Sequence, residues 1–300
     1  MKLDAGVSAV VTGGASGLGR AVVEALAREG VRVGILDRDA QAGRAVATGL
    51  GGAFAACDVS DAGSVSEALG SLRGANGQER ICVNCAGIAP AIRTVSRTGA
   101  HDPAAFAQVI GVNLIGTFNV ASQSAAGMAG LEPSGEDGER GVIVNTASIA
   151  AWDGQIGQIA YAASKAGVAG MTLPMARDLA RSGLRVMGIA PGIFGTAMVT
   201  GFPDELQAAL AAHAQFPPRL GKPGEFASLV DQHLGHPVAD HDAAQRNIAA
   251  GDRLGKGHQI GLVAEFLVGK PVAQAAKGAN HLVAHQQDAV LVHNALDFGP

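Results

Sequence analysis

Residues 7–29 read V-S-A-V-V-T-G-G-A-S-G-L-G-R-A-V-V-E-A-L-A-R-E, an order of textures that few folds accommodate. The stretch 7–11 reads as a short buried strand, 12–19 as a turn, and 20–29 as a helix with an apolar stripe at Val22, Val23, Leu26 and Ala27. Gly13, Gly17 and Gly19 stand in the turn at the spacing G-x-x-x-G-x-G, a departure from the commoner G-x-G-x-x-G. The physical use is similar: a tight turn, close approach of backbone to a pyrophosphate, and helix N-terminal amides that favour an anion. Glycine supplies 43 of the 300 residues, so the trio carries weight only through its place between strand and helix. A second strand at 32–36 ends in Asp37, near the ~20-residue offset expected of an acid that holds an adenosine ribose. A carboxylate there repels a ribose 2′-phosphate, which favours NAD over NADP. Arg38, next along, would accommodate a phosphate if its side chain turned inward.

Farther on, the chain's single tyrosine, Tyr161, precedes Lys165 by four residues in Y-A-A-S-K, and Ser148 lies thirteen residues before it. Residues four apart share a helix face, so the Lys165 ammonium is expected to lie beside the phenol and lower a pKa that starts near ~10. A phenol so tuned passes a proton to or from a carbonyl oxygen. The same spacing also occurs as an ordinary amphipathic pair. What distinguishes it here is Ser148, which follows the strand-like G-V-I-V-N-T at 141–146 and so falls at a strand's carboxyl end, where open α/β sheets bind ligands.

Four motifs now stand in order: T-G-G-A-S-G-L-G, Asp58-Val59, N-C-A-G at 84–87, and Ser148 with Tyr161 and Lys165. Together they resemble the short-chain dehydrogenase/reductase family. Within it, G-T-F-N-V at 116–120, G-Q-I-G-Q-I-A-Y-A-A-S-K at 154–165, A-P-G-I-F-G-T at 190–196 and R-L-G-K-P-G-E-F-A at 219–227 are similar to the members that act on 3-hydroxyacyl-CoA. The resemblance covers residues 1 to 230 and implies a Rossmann-type doubly wound parallel α/β sheet in a single domain. It implies further that Gly13, Ser16, Gly17, Leu18, Gly19, Asp37, Asp58, Val59 and Cys85 surround the adenosine and pyrophosphate of NAD. Tyr161, Lys165, Phe194 and Thr196 would hold the nicotinamide half. Ser148 and Tyr161 would bind the substrate oxygen, Tyr161 would be the general acid/base, and Lys165 would bind the ribose and bias the phenol. Asn113 matches the residue that steadies a proton relay through water; otherwise it is a helix-interior asparagine bonding its own backbone. The implied reaction is hydride transfer at a secondary alcohol or ketone.

With 48% hydrophobic and 16% charged residues, the chain can fill a sizeable core. A net charge of −4 and no Lys/Arg cluster argue against nucleic acid as a partner, and no apolar run reaches the ~18 residues of a membrane span. The start passes into the first strand without a secretory or transit segment, so a cytoplasmic location is expected. Cys57, Cys82 and Cys85 suit a reducing compartment. C-V-N-C at 82–85 ends a strand with its two thiols on opposite faces, so neither a metal nor a disulfide is expected, with Cys82 filling core.

Residues 89–104 and 128–140 read as surface loops that, in the family, shape the acyl-CoA or steroid pocket. Ile193, Phe194, Met198, Val199 and Phe202 either line that cleft or pack a lid helix. After Val230 the family continues into an N-G-E-x-I-R-L-D-G strand; here D-Q-H-L-G-H-P-V follows, and seven of nine histidines fall after residue 232. The expected organisation is a dehydrogenase domain at 1–231 and an atypical His-rich tail at 232–300, frameshifted or poorly ordered. His281 and His285 lie four apart, but without an H-E-x-x-H or cysteine partner no metal site is expected. The function so read is NAD-dependent interconversion of 3-hydroxyacyl-CoA and 3-oxoacyl-CoA. Alternatives are a hydroxysteroid, 2-methyl-3-hydroxyacyl-CoA or 3-oxoacyl-carrier-protein substrate, or a non-catalytic NAD-binding scaffold. A homo-oligomer, a tetramer by family resemblance, is expected unless the altered C-terminus prevents it.

Overall fold

A computed structural model describes residues 1–135, 137–201, 203–212, 214, 217–235 and 263–268. Strands and helices alternate through β1 (Ser8–Thr12), α1 (Gly17–Arg28), β2 (Arg32–Asp37), α2 (Ala40–Leu50), β3 (Ala53–Ala56), α3 (Ala62–Asn76) and β4 (Ile81–Asn84). A hairpin of β5 (Val95–Ser96) and β6 (Gly99–Ala100) leads into α4 (Pro103–Ile110), a π turn (Gly111–Ile115) and α5 (Gly116–Ala129). There follow β7 (Gly141–Thr146), α6 (Ile159–Leu179), β8 (Leu184–Pro191), α7 (Ala197–Thr200), α8 (Asp204–Ala212), α9 (Pro223–Gly235) and β9 (Val263–Val268).

Six strands pair in parallel in the order β3-β2-β1-β4-β7-β8. Every residue of β1, β4 and β7 is buried, as expected of a sheet covered on both faces. Alternation along each strand sorts the core into two layers. Ala9, Val11, Ile81, Val83, Val142 and Val144 meet Val22 and Leu26 of α1 and Phe226, Val230 and Leu234 of α9. Val10, Cys82 and Ile143 meet Leu69 and Leu72 of α3 and Val120 and Met128 of α5. Each fully buried Leu or Phe contributes ~1.5–3 kcal/mol by leaving water. The sheet reverses its order of growth between β1 and β4, and the crevice outside their carboxyl ends is where such sheets take ligands.

Aspartates start three helices. Asp39, Asp61 and Asp102 accept from main-chain amides in the first turns of α2, α3 and α4, so their carboxylates are occupied as caps. The helix across 103–129 is long and apolar enough to cross a membrane by length and composition alone. Its stripe of Val112, Thr117, Val120, Ser124 and Met128 is buried against the sheet layer, as in the core helix of an α/β protein.

Three features differ from the sequence reading. The first helix begins at Gly17 rather than residue 20, because the glycine turn itself winds into it. α9 runs through the boundary expected after residue 231, and Arg185 from β8 donates to the carbonyls of His233 and Leu234 at its end, at 2.8 and 3.3 Å. Residues 263–268, V-A-E-F-L-V, form an antiparallel strand on β8 that was not recognised in the tail. The rest of 236–300, including His281 and His285, lies outside the described residues.

Candidate active site

The turn after β1 is built so that main chain, not side chain, faces the crevice. Gly13 has φ of 66°, and a Cβ there would stand 3.0 Å from the Ala86 main chain. At Gly19 a Cβ would stand 2.3 Å from the Gly13 carbonyl oxygen, which no side chain tolerates. Ser16 caps α1 without a side-chain hydrogen bond, so the first amides of the helix are left to an external anion. Leu18 is half-buried against the core behind the turn. Thr12 Oγ1 accepts from the amides of Cys85 and Ala86, both at 3.0 Å, and so fixes the exit of β4 against that of β1. A glycine cradle with unused helix amides fits the pyrophosphate of a dinucleotide.

Asp37 ends β2 beside this turn. One of its oxygens accepts from Ala15 N at 3.0 Å and the other from Asp39 N at 3.0 Å, which sets the carboxylate against the glycine loop. Asp58 accepts from the Ser60 hydroxyl at 2.6 Å and its amide at 3.0 Å. That hydroxyl first, and the Arg38 charge to a lesser degree, hold the Asp58 carboxyl below the usual range. Arg38 itself is exposed.

Two residues expected at the cofactor engage the protein with their side chains. Val59 is buried, and its methyl would be 2.6 Å from a Cβ at Gly116. Phe194 is buried edge-to-face on Phe226, with ring centroids 6.2 Å apart, so its ring takes the packing role among the two weighed for the 193–202 segment. Their carbonyls are engaged as well, Val59 O accepting from Asn119 Nδ2 at 3.0 Å and Phe194 O from Thr196 N at 2.8 Å. Thr196 lies beside the glycine turn, its methyl 3.4 Å from a Cβ at Gly17. Ile193 and Val199 are half-buried, and the side chains of Met198 and Phe202 lie outside the described residues.

Ser148, Tyr161 and Lys165 come together where β7 ends and α6 begins. Ser148 is buried, and its Oγ accepts from Ala150 N at 3.1 Å. Lys165 is 3% exposed; its Nζ donates to the Thr146 carbonyl at 2.6 Å and stands 5.8 Å from the centre of the Tyr161 ring. The net shift of the phenol is upward rather than downward as the i, i+4 spacing suggested, because desolvation outweighs the neighbouring charge. Burial pushes the Tyr161 phenol above its ordinary value, against the opposing pull of a hydrogen bond with Ser148. Burial also brings Lys165 down to about 8, with the neighbouring Cys85 working the other way. Spacing placed the two groups correctly; it could not report that both are desolvated.

Asn113 sits in the π turn and does not bond its own backbone through its side chain. Its Oδ1 accepts from Ile88 N at 2.8 Å, and its Nδ2 donates to Ile88 O at 2.9 Å and to Ser164 Oγ at 3.0 Å. With these bonds made, the side chain is committed to holding structure, and a water relay would have to meet its main chain. Gly87 keeps this corner open: a Cβ there would stand 3.2 Å from Asn113 Oδ1 and 3.7 Å from Lys165 Nζ. Cys85 is half-buried at the cofactor side and accepts weakly from the Thr146 hydroxyl at 3.6 Å; burial raises its thiol to about 11. Cys57, Cys82 and Cys85 are all free thiols.

A cleft of about 550 Å³ lies between the loop carrying β5 and residues 154–162, the segment that leads into the first turn of α6. Ile92, Val95, Ile156 and Ile159 give it apolar walls, Arg93 a charged lip, and Ala162 adjoins Tyr161. The loop at 89–104 thus forms one wall of this cleft, with Ile92, Arg93, Thr94 and Val95. The loop at 128–140 does not. It enters β7 at the amino-terminal end, and its Glu139 and Arg140 bind Arg185, Leu131 and Ser182. Loop composition marks a surface segment but not which end of the sheet it serves; the order helix-then-strand does. Thr12, Thr146, Ser164 and Gly87 were not singled out, although each stands inside or beside a motif already read. No group of three or more potential metal ligands occurs among the described residues.

A doubly wound sheet, a glycine cradle at its switch point and a Ser-Tyr-Lys cluster beside it define an oxidoreductase of the nucleotide-dependent α/β class. The sequence matches the short chain dehydrogenase family over residues 8–207, and the chain belongs to that family. Human 3-hydroxyacyl-CoA dehydrogenase type-2 is 48% identical over 236 residues, covering 77% of this chain and 90% of the human one. The Drosophila melanogaster protein of the same name is 48% identical over 233 residues, covering 76% and 91%. The crystal structure of 3-hydroxyacyl-CoA dehydrogenase type-2 from Mycobacterium avium superposes with a TM-score of 0.74 at 42% identity, covering 80% of this chain and 94% of that one.

Proposed function

We propose that this protein is an NAD-dependent 3-hydroxyacyl-CoA dehydrogenase. The carrying observation is the meeting of Ser148, Tyr161 and Lys165 at the carboxyl end of β7, on the edge where the glycine cradle also opens; relatives of that name, 48% identical over nine-tenths of their length, support the substrate class.

In this reading Gly13, Ser16, Gly17, Leu18 and Gly19 receive the pyrophosphate, and Asp37 faces the adenosine ribose. Asp58, the Val59 main chain and Cys85 flank the adenosine side, while Lys165, Thr196 and the Phe194 main chain hold the nicotinamide side. When bound, the nicotinamide supplies or receives the hydride. Ser148 holds the substrate oxygen, and Tyr161 gives that oxygen a proton in reduction or removes one in oxidation. With its pKa raised, the phenol stays protonated at neutral pH, the form that donates in reduction. Oxidation requires the phenolate, so its rate rises with pH. The Lys165 ammonium supports that phenolate and loses its charge above about 8.

Asp37 is fixed by two amides beside the glycine loop, and a carboxylate facing the adenosine ribose would repel a 2′-phosphate, which supports NAD over NADP. A homo-oligomer is part of the proposal: residues 103–129 contain no charged side chain, yet Ile115 and Phe118 are 47% and 51% exposed. A cytoplasmic location accords with three unpaired cysteines.

The test is NADH consumption with acetoacetyl-CoA, with NADPH in parallel. Consumption with NADH, at least ~10-fold faster than with NADPH, is expected from the Asp37 charge. Consumption only with a steroid ketone or an acyl-carrier-protein substrate would replace the substrate class. No reaction together with intact NADH binding would favour the scaffold reading.

A further inference from the structure

Ser164 has no part in the reaction described above, yet it is fully buried one residue before Lys165. Its hydroxyl donates to the Tyr161 carbonyl at 2.7 Å and accepts from Asn113 Nδ2 at 3.0 Å. Asn113 is itself clamped on the Ile88 main chain at 2.8 and 2.9 Å. A continuous path of hydrogen bonds therefore runs from the segment after β4, through the π turn, to the first turn of α6. It ends on the main chain of the residue that carries the phenol.

The polarity of this path leaves no slack. Both Nδ2 protons of Asn113 are used, one on Ile88 and one on Ser164, and Oδ1 takes the Ile88 amide. The one Ser164 proton is committed to Tyr161, and one of its two lone pairs takes the Asn113 proton. A helical serine that bonds back one turn commonly softens or bends its helix. Here the same bond is held from behind by a second element, and a fully satisfied buried network is rigid.

We propose that Ser164 is a positioning residue, which transmits the placement of Ile88 and the π turn to the Tyr161 main chain and so keeps the phenol against Ser148. The inference rests on the reading of Tyr161 as the proton-transfer group. Without the Ser164 hydroxyl, an Asn113 proton is stranded in the core, and the relief available is a shift of the turn or of the start of α6. A misplacement near 1 Å costs up to ~100-fold in turnover.

Tyr161 is the only tyrosine in the chain, so ultraviolet tyrosinate absorbance titrates this phenol alone, whatever the substrate. Ser164→Ala should move the titration from the raised value of the parent toward the ~10 of free tyrosine, as the phenol leaves its desolvated place. It should also lower kcat with acetoacetyl-CoA by ~10-fold or more while KM for NADH stays within ~2-fold. Ser164→Thr, which restores the hydroxyl, should return both readings to near those of the parent. Should the alanine variant not fold, Ser164→Cys, a weak donor of similar size, should fall between alanine and threonine. The proposal is overturned if the alanine (or cysteine) variant titrates and turns over like the parent, or if threonine fails to rescue a folded variant. If the parent turns over no acyl-CoA, the substrate reading fails, and the titration still decides the role of Ser164.

Discussion

The two walls of the crevice are made by different means. On the cofactor side the wall is main chain: amides at the start of α1, a Gly19 with no space for a methyl, and a Thr12 hydroxyl tying β4 to β1. On the substrate side it is side chain carried on loops, with Ile156 80% exposed and Val95 69% exposed. A main-chain wall demands particular residue types at fixed spacing, since only glycine fits where backbones nearly touch. A side-chain wall asks only for apolar bulk, which several residues supply. One side should therefore respond to substitution steeply and the other gently, with the Ser-Tyr-Lys cluster most sensitive of all.

Lys165→Met should have the largest effect apart from loss of the phenol itself, lowering turnover ~100-fold or more through loss of charge at the proton-transfer site. It should also raise stability. The pKa of Lys165 is brought from 10.5 to about 8, so the unfolded chain binds the extra proton between these values, and stability rises with pH across that window. The cost of burying the ammonium is fully present below about 8, and removing it should stabilise the protein at pH 7 by ~1–3 kcal/mol after the lost Thr146 bond is deducted. Urea unfolding at pH 7 and above pH 10 would check this: the gain should shrink at the higher pH.

Gly19→Ala should come next. Its Cβ would meet the Gly13 oxygen at 2.3 Å, and the turn must open to admit it. NADH affinity, measured by fluorescence titration, should fall by ~10-fold or more, the scale expected when a preorganised binding element is displaced. At the other extreme, Ile156→Ala should change KM for acetoacetyl-CoA by no more than ~5-fold and leave kcat alone, because a largely exposed side chain withdraws little apolar area from water. A steep loss at Ile156, or a mild one at Gly19, would break the contrast between the walls.

The same contrast governs what could be read from the sequence. The glycine turn, Asp37 and the Ser148-Tyr161-Lys165 spacing were legible because local geometry fixes them within one or two elements. The partners of Asn113 were not: Ile88 is 25 residues away and Ser164 is 51, and neither distance leaves a periodic trace. The net direction of the Tyr161 shift is not legible either, because spacing reports proximity of charge, whereas desolvation depends on everything packed around the pair. The 128–140 loop was assigned to the wrong end of the sheet by its composition, although its place between α5 and β7 decides the matter. V-A-E-F-L-V at 263–268 has a strand's residue types but lies far along the chain from β8, its pairing partner, so no local pattern ties the two together.

The most direct test compares the parent with Tyr161→Phe, measuring NADH affinity and acetoacetyl-CoA reduction in the same preparations. The phenol as proton donor predicts an unchanged NADH dissociation constant and a fall in turnover of at least ~100-fold. Turnover within a few-fold of the parent would contradict it.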